Sequence, residues 1–408
     1  MTRKDIDPVL ISIFQRKFKS IAEEMALTLL RTTRSPIFNE ARDFCTGLYD
    51  AEGGILEQAE YIPVLAMSNY HALKYIIKYF EGEIYPGDVI IHNDVFTQGN
   101  QLTDVAIYKP IFYRDKLVGW SCCKGHVADI GGNVPGGYNP FATEVWQEGL
   151  RISPVKIYER GRFRRDVWDF IFNNIRFSFV ADDIRAEVGG CTIGERKLQE
   201  LIERFGLEVY EAHVAAMYDA TERLVRDQIE RFPDGVYRGE CSIHNDGISD
   251  GKWTTKVTIT ISGSNLTVDF TGTSPSAAGF INQPLGSTMS AVWIALFMFL
   301  GIRELPHNAG MLRPVKIIVP EGSLHNVAFP LPSVMGNHMT SLVGMAMSHA
   351  FAQAVPERAF AEWNREHASI ATGINPKTRR PWADVNFCLL YTSPSPRDLS
   401  TSRMPSSA

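Results

Sequence analysis

Asp104, His126 and Asp129 are the side chains of this sequence best placed to do chemistry. They lie within residues 94–137, DVFTQGNQLTDVAIYKPIFYRDKLVGWSCCKGHVADIGGNVPGG. Residues 105–113 and 116–123 alternate and are rich in β-formers, and a polar tip, Arg114-Asp115, separates them. This pattern predicts an antiparallel hairpin. A three-residue loop would put Asp104 opposite His126; a loop of two or four would slip the pairing by one. Opposed residues have Cβ atoms about 4.5–5.5 Å apart, so an acid and an imidazole remote in sequence can share one site. Asp129 follows, then glycine pairs at Gly131-Gly132 and Gly136-Gly137. A carboxylate and an imidazole at a strand end, beside glycines that let backbone come close, suit a small metal centre or an acid–base pair. The plainer alternative is a structural Asp–His hydrogen bond. Asp129 has a plainer alternative too, accepting the amides of Gly131 and Gly132 in an Asx-type turn.

Other polar groups compete for attention. Arg42-Asp43 could grip a carboxylate or pair internally. Glu144, Glu148 and Arg151 follow the glycine loop and could line a cleft. His244-Asn245-Asp246, His307-Asn308, His325-Asn326 and Asn337-His338 fall at loops, where capping is the default role. Cys122 and Cys123 have no activating base nearby in sequence, which argues against thiol catalysis.

Positioning such a site takes a folded frame, and the chain supplies one. Residues 8–33 predict a helix, with Asp7 as N-cap and Pro8 as first residue. Its face is Ile11, Phe14, Phe18, Ile21, Met25 and Leu29. Residues 44–50 and 55–59 frame a hairpin turn, 66–80 read as a helix, and 89–91 as a strand. After the central hairpin come helices over 142–150, 167–174, 184–204 and 208–231. A β block follows over 235–244, 253–262 and 266–270. Helices over 287–300 and 340–353 flank a strand at 315–319. Strands and helices come in groups, which predicts an α+β fold with mainly antiparallel sheets and helices packed in several layers. The expected division is 1–232, 233–387 and a tail at 388–408. The tail is rich in Ser and Pro and has little to bury. It resembles translated adapter sequence, so the expectation is a truncated chain that lacks its natural C-terminal part.

The chain has 408 residues, 45% of them hydrophobic and 21% charged, with a formal net charge of −5. That balance argues against a nucleic-acid or acidic-membrane binder. The six cysteines have no C-x-x-C spacing, and read as reduced thiols of a cytoplasmic protein. The longest apolar run, 291–300, is far short of the roughly 20 residues that span a bilayer.

Several segments together resemble the hydantoinase B / 5-oxoprolinase / acetone carboxylase α-subunit family. They are residues 20–64, 86–94, 125–137, 144–161, 183–206, 268–282 and 308–326. The resemblance implies an ATP-coupled reaction at an amide or carbonyl carbon. Some members open cyclic amides such as hydantoins or 5-oxoproline; others carboxylate ketones. It also implies that ATP binds to a partner, a hydantoinase A-type subunit, in a hetero-oligomer. The sequence agrees in having no G-x-x-x-x-G-K-[ST] loop. In the carboxylase branch a His, an Asp three residues on and a later His hold a divalent metal. Aligned residue by residue, these places are Gln101, Asp104 and His126. Gln101 departs from that pattern. A neutral amide is weak for zinc and better tolerated by Mn²⁺ or Mg²⁺. Three outcomes follow: a harder ion on Gln101, Asp104 and His126; Asp129 as replacement ligand; or a subunit without metal, serving a structural role. His126 and Asp129 are the candidate catalytic pair, with Asp129 as base.

Overall fold

In the computed structural model the described residues are 6–302, 305–359, 367–374, 376–377, 379 and 381–388. The tail expected from residue 388 lies outside them, apart from Cys388 itself. Helix α1 (Pro8–Thr32) opens the fold. The Asp7 side chain accepts the Val9 N–H at 2.8 Å, and Phe14, Phe18, Ile21, Met25 and Leu29 are buried as the periodicity predicts. Then follow α2 (Pro36–Asn39), strands β1 (Phe44–Asp50) and β2 (Ile55–Glu60), α3 (Pro63–Tyr79), β3 (Val89–His92), β4 (Asp104–Tyr113), β5 (Lys116–His126), β6 (Val155–Glu159) and β7 (Arg162–Phe163). Helices α4 (Arg165–Phe172), α5 (Phe179–Phe205) and α6 (Leu207–Ile229) lead to β8 (Gly235–Asn245), β9 (Asp250–Ser262) and β10 (Asn265–Asp269). Helix α7 (Leu285–Leu300), β11 (Val315–Ile318), α8 (Thr340–Ala354), β12 (His367–Ile374) and β13 (Pro381–Cys388) complete the described residues.

The fold is α+β, as expected. Seven strands form one antiparallel sheet in the order β2-β1-β5-β4-β3-β6-β7, and four form a second in the order β11-β10-β9-β8. Only β10 and β11 in the second sheet run parallel. Strands β12 and β13 pair with each other. The helix expected over 142–150 is instead a short 3₁₀ turn, Val145–Gln147. The spacing also missed β6 and β7, which are short and near the sheet edge.

The large sheet separates two cores. Val105, Ile107, Ile111 and Cys123 face the layer of α1 and α5. Ala106, Tyr108, Trp120 and Cys122 face α3, α7 and α8, beyond which lies the second sheet. This second core gathers residues from Tyr49 to Val355. Cys45, Cys122, Cys123 and Cys191 are buried free thiols. Among the described residues no helix is long and apolar enough to cross a membrane.

The contact between α8 and β8 depends on Gly239, where a methyl group would overlap the backbone carbonyl of Ala346. Gly239→Ala is therefore expected to destabilise the fold by about 1–3 kcal/mol. A lower urea midpoint at unchanged slope is the expected readout; an unchanged midpoint would mean the two elements separate freely.

Candidate active site

The central hairpin turns through two residues, Arg114 and Asp115, since Tyr113 pairs with Lys116. A two-residue turn alone would set Asp104 opposite Gly125. One bulge corrects this: Ile111 pairs with Gly119 but Phe112 with Leu117, so Val118 is the extra residue. Beyond it the register places Asp104 opposite His126. The two side chains meet, His126 Nδ1 lying 2.9 Å from Asp104 Oδ1. Asp104 is fully buried and His126 is 4% exposed.

Three loops close over this hairpin end. From the loop before β4, Gln101 donates its amide to the Val334 carbonyl. From the loop after β5, the Tyr138 hydroxyl donates to Gln101 Oε1 at 3.3 Å. The Tyr138 ring stacks on His126 with centroids 5.9 Å apart. From the loop before α8, Asn337 Nδ2 donates to Asp104 Oδ2 at 2.6 Å, and His338 Nε2 lies 3.2 Å from the Tyr138 hydroxyl. Under the site, Lys124 is fully buried. Its ammonium donates to Ser68 Oγ at 2.8 Å and to Asn100 Oδ1 at 2.5 Å. Asn100 Nδ2 reaches the Val64 carbonyl at 2.8 Å and Asn337 Oδ1 at 3.4 Å. Ser287, at the start of α7, donates to Asn337 Oδ1 at 3.0 Å.

Burial alone would lower the basicity of His126. The hydrogen bond to Asp104 and the charges of Asp43 and Asp104 outweigh it, so the ring is more basic than an ordinary histidine. Burial pulls the Lys124 ammonium below its usual value, against the attraction of Asp104.

Asp129 is fully buried and occupied. Its carboxylate accepts the Gly131 N–H at 3.2 Å, the Arg176 N–H at 2.9 Å and the Arg176 guanidinium at 2.8 Å. Arg176 also donates to the Gly131 and Gly132 carbonyls, at 3.1 and 2.5 Å. The pair staples the glycine turn. Gly132 has φ of +81°, and a Cβ there would sit 2.8 Å from the Glu148 carbonyl, so no larger residue fits. No hydrogen bond joins Asp129 to Asp104 or His126 among the described residues.

Most of the remaining candidates have protein partners. Arg151 grips Asp94 with two hydrogen bonds, at 3.2 and 2.9 Å, and lies 5.1 and 5.0 Å from the rings of Phe96 and Phe329. Glu144 is exposed. The Asp43 carbonyl accepts the His126 N–H at 2.9 Å. His325 is buried between Gln283 and Thr255, both 2.6 Å away. His307 pairs with Glu60 at 2.8 Å, beside a cleft of about 860 Å³ lined by α1, β2, Ile302 and residues 305–307. Gln101, Asp104 and His126 do not line that cleft.

Sequence reasoning missed several members of this site, Ser68, Asn100 and Ser287 among them. Tyr138 and Lys124 went unremarked, and Asn337 and His338 were given to loop capping. Period-two alternation could have found Lys124, two residues before His126 and so on the same face. No spacing rule reaches Asn337, which is 233 positions from Asp104.

As a metal centre the donor set fits poorly. Of Gln101, Asp104 and His126 only Asp104 supplies a negative charge. Gln101 Oε1, both Asp104 oxygens and His126 Nδ1 all have protein partners. Among the described residues no three His, Cys, Asp or Glu side chains converge as ligands.

Glu148 braces the site from below, its Oε1 accepting the N–H groups of Ser333 and Val334 at 2.7 and 2.8 Å. Burial pushes its carboxyl up to about 8, although those two N–H groups favour the charged form. A folded value above the unfolded one means the folded chain holds the extra proton between them. The stabilisation is therefore complete below about pH 4.5 and is lost as pH rises through about 8, on the order of 5 kcal/mol in all. Urea midpoints should fall between about pH 5 and pH 8.5, and Glu148→Gln should flatten that fall. Superimposable pH profiles for the two proteins would refute it.

A family model described as hydantoinase B/oxoprolinase matches residues 7–390. The β-subunit of the caprolactamase of Pseudomonas jessenii is 37% identical over 374 residues, 91% of this chain and 63% of that protein. The B component of a putative D-/L-hydantoinase of Pseudomonas sp. strain NS671 is 33% identical, covering 88% of this chain and 63% of its own. The 5-oxoprolinase of Dictyostelium discoideum is 30% identical over 83% of this chain, which amounts to 27% of that protein. The chain thus spans under two thirds of the length of these relatives. The crystal structure of the ATP-dependent caprolactamase from P. jessenii superimposes with a TM-score of 0.86 at 34% identity, over 93% of this chain and 66% of that one. Nucleotide-free acetone carboxylase gives a TM-score of 0.83 at 20% identity, over 93% and 53%; at that identity the likeness is one of fold.

Proposed function

The chain belongs to the hydantoinase B/oxoprolinase family, and we propose that it is the ring-opening subunit of an ATP-dependent cyclic-amide hydrolase. ATP is bound by a hydantoinase A-type partner in a cytoplasmic hetero-oligomer. The observation that carries this reading is the buried Asp104–His126 pair at the open end of the central hairpin. Kinship with the caprolactamase β-subunit and with the hydantoinase B component supports the substrate class.

A ring amide resists water because its resonance must be broken and its nitrogen is a poor leaving group. Transfer of the γ-phosphoryl group of ATP to the amide oxygen releases ADP and leaves an electrophilic carbon. Water then attacks that carbon, giving up a proton to His126 Nε2. Asp104 holds the ring and steadies the imidazolium that forms. The same ring returns the proton to the nitrogen as the C–N bond breaks. The acyl phosphate left behind is hydrolysed by a second water to carboxylate and phosphate. Overall one ATP and two waters open one ring. Asp129 serves here as the clamp of the glycine turn, not as the base.

A divalent ion on Gln101, Asp104 and His126 is the competing reading. The resemblance to the carboxylase branch supports it, and the charge and occupancy of the donors weigh against it. Ketone carboxylation has only the shared fold behind it.

On the full-length protein assembled with its ATP-binding partner, His126→Ala and Asp104→Asn are expected to lower kcat for ring opening by roughly 10²–10⁴-fold. The assay follows ADP release with caprolactam, hydantoin and 5-oxoproline. Activity retained by both variants would remove the pair from the chemistry. Equilibrium dialysis against Mn²⁺, Mg²⁺ and Zn²⁺ is expected to give no binding that depends on these two residues. Stoichiometric binding abolished by either substitution would favour the metal reading instead.

A further inference from the structure

We propose that the cleft between α1 and β2 is a second binding site, one that takes an amino acid whose ammonium and carboxylate groups stand apart on a hydrocarbon spacer. The cleft holds about 860 Å³, within the range of small-molecule sites. It runs along the outer edge of β2, the end strand of the large sheet, so consecutive residues from both faces of that strand border it. Gln58 and Glu57 do so while only 5% and 8% exposed. The Gln58 amide nitrogen donates to the Tyr49 hydroxyl at 2.8 Å and to the Ala66 carbonyl at 2.7 Å. A carbonyl only accepts, so the amide cannot turn over, and its oxygen is left buried with no donor. Glu57 accepts the Gln58 N–H at 3.0 Å. Burial pushes its carboxyl up to about 7, despite that N–H and the charges of His307 and Lys19. An acid raised this far is short of a compensating cation. Glu60, by contrast, already has His307 at 2.8 Å. The open Gln58 oxygen and Glu57 together suit a primary ammonium, which only donates and offers three N–H groups. The same Glu57 contact covers a backbone N–H that an added β-strand would need, which favours a small ligand over a docked strand.

The other walls describe the rest of the ligand. Helix α1 presents Arg16, Lys19 and Glu23, all exposed, a net positive wall that suits a carboxylate. Phe297 and Leu305 form an apolar wall, on which the His307 ring stacks with its centroid 4.6 Å from that of Phe297. Buried acceptors on one wall and exposed cations on another order the two charges, ammonium inward and carboxylate outward, with methylenes against the aromatic surface. Water-driven opening of a lactam ring frees an amine and a carboxylate on one hydrocarbon chain, so the product of that reaction is a ligand of this class. The link to product rests on the reading of the chain as a ring-opening subunit; the site itself does not.

Calorimetric titration with 6-aminohexanoate tests the site, on the full-length protein assembled with its ATP-binding partner. Saturable binding is expected. Hexylamine, which lacks the carboxylate, should bind roughly 2–5-fold more weakly, and hexanoate, which lacks the ammonium, roughly 10–100-fold more weakly. Glu57→Gln keeps the volume and an acceptor for the Gln58 N–H, and should weaken 6-aminohexanoate roughly 10–100-fold. Lys19→Ala, at an exposed position, should weaken it roughly 2–5-fold and leave hexylamine no weaker. The absence of saturable binding overturns the proposal, as does an affinity unchanged in both folded variants. Binding that is lost in Asp104→Asn but survives in Glu57→Gln puts the ligand in the hairpin site and overturns it too. A complex that binds 6-aminohexanoate through Glu57 yet opens no cyclic amide keeps the site and loses only its link to product.

Discussion

One extra residue in β5 determines which side chains can meet. The bulge at Val118 shifts the β4–β5 pairing by one position below the turn. Strand side chains alternate faces, so a slip of one would exchange the whole set. With the bulge, Asp104, Lys124 and His126 share the face that looks towards α3 and α7. Val105, Ile107 and Cys123 look towards α1 and α5. Without it, Asp104 would pair with Gly125 and His126 would have no opposite carboxylate. Burial of apolar groups on both faces holds the shifted register, because each core would otherwise receive the other's polar residues.

A polar cluster in such an interior needs every group answered. A buried amide or hydroxyl left without a partner costs about 1–3 kcal/mol, and an unpaired charge costs more. Around Asp104 most of this demand is met from distant parts of the chain, although Thr103 Oγ1 and Ser333 Oγ are left without a partner. Asn337 and Val334 come from the segment before α8, Ser287 from the start of α7, and Ser68 from α3. The Asp129–Arg176 pair does the same for the glycine turn, replacing lost backbone pairing with a charged clamp.

Local pattern carried most of this fold into the sequence. The N-cap at Asp7, the helical faces and the strand alternation are short-range signals, and the elements they predict are present. The hairpin tip was legible as Arg114-Asp115, yet the bulge was not, since Val118 differs in no visible way from its neighbours. That left the Asp104–His126 register open between two answers. Residues 142–150, expected as a helix, form only the 3₁₀ turn Val145–Gln147. The acid and the imidazole were therefore recognisable, but the partners that orient them were not. Asn337 and Asn100 are joined by chain topology, and no periodicity encodes that.

The charge around the hairpin end follows from the same packing. Asp104 brings one negative charge into the interior and Lys124 one positive charge; Gln101 adds none. Asp104 and Lys124 are not in direct contact, but the negative charge of Asp104 favours the charged form of Lys124. With the Asp43 carboxylate near His126 counted, a divalent ion placed on Asp104 would still leave one positive charge in excess beside a buried ammonium. A third ligand bearing a negative charge would ease that excess, and the neutral amide of Gln101 does not. The neutral Gln101 and the buried Lys124 thus bear on the same charge balance around Asp104.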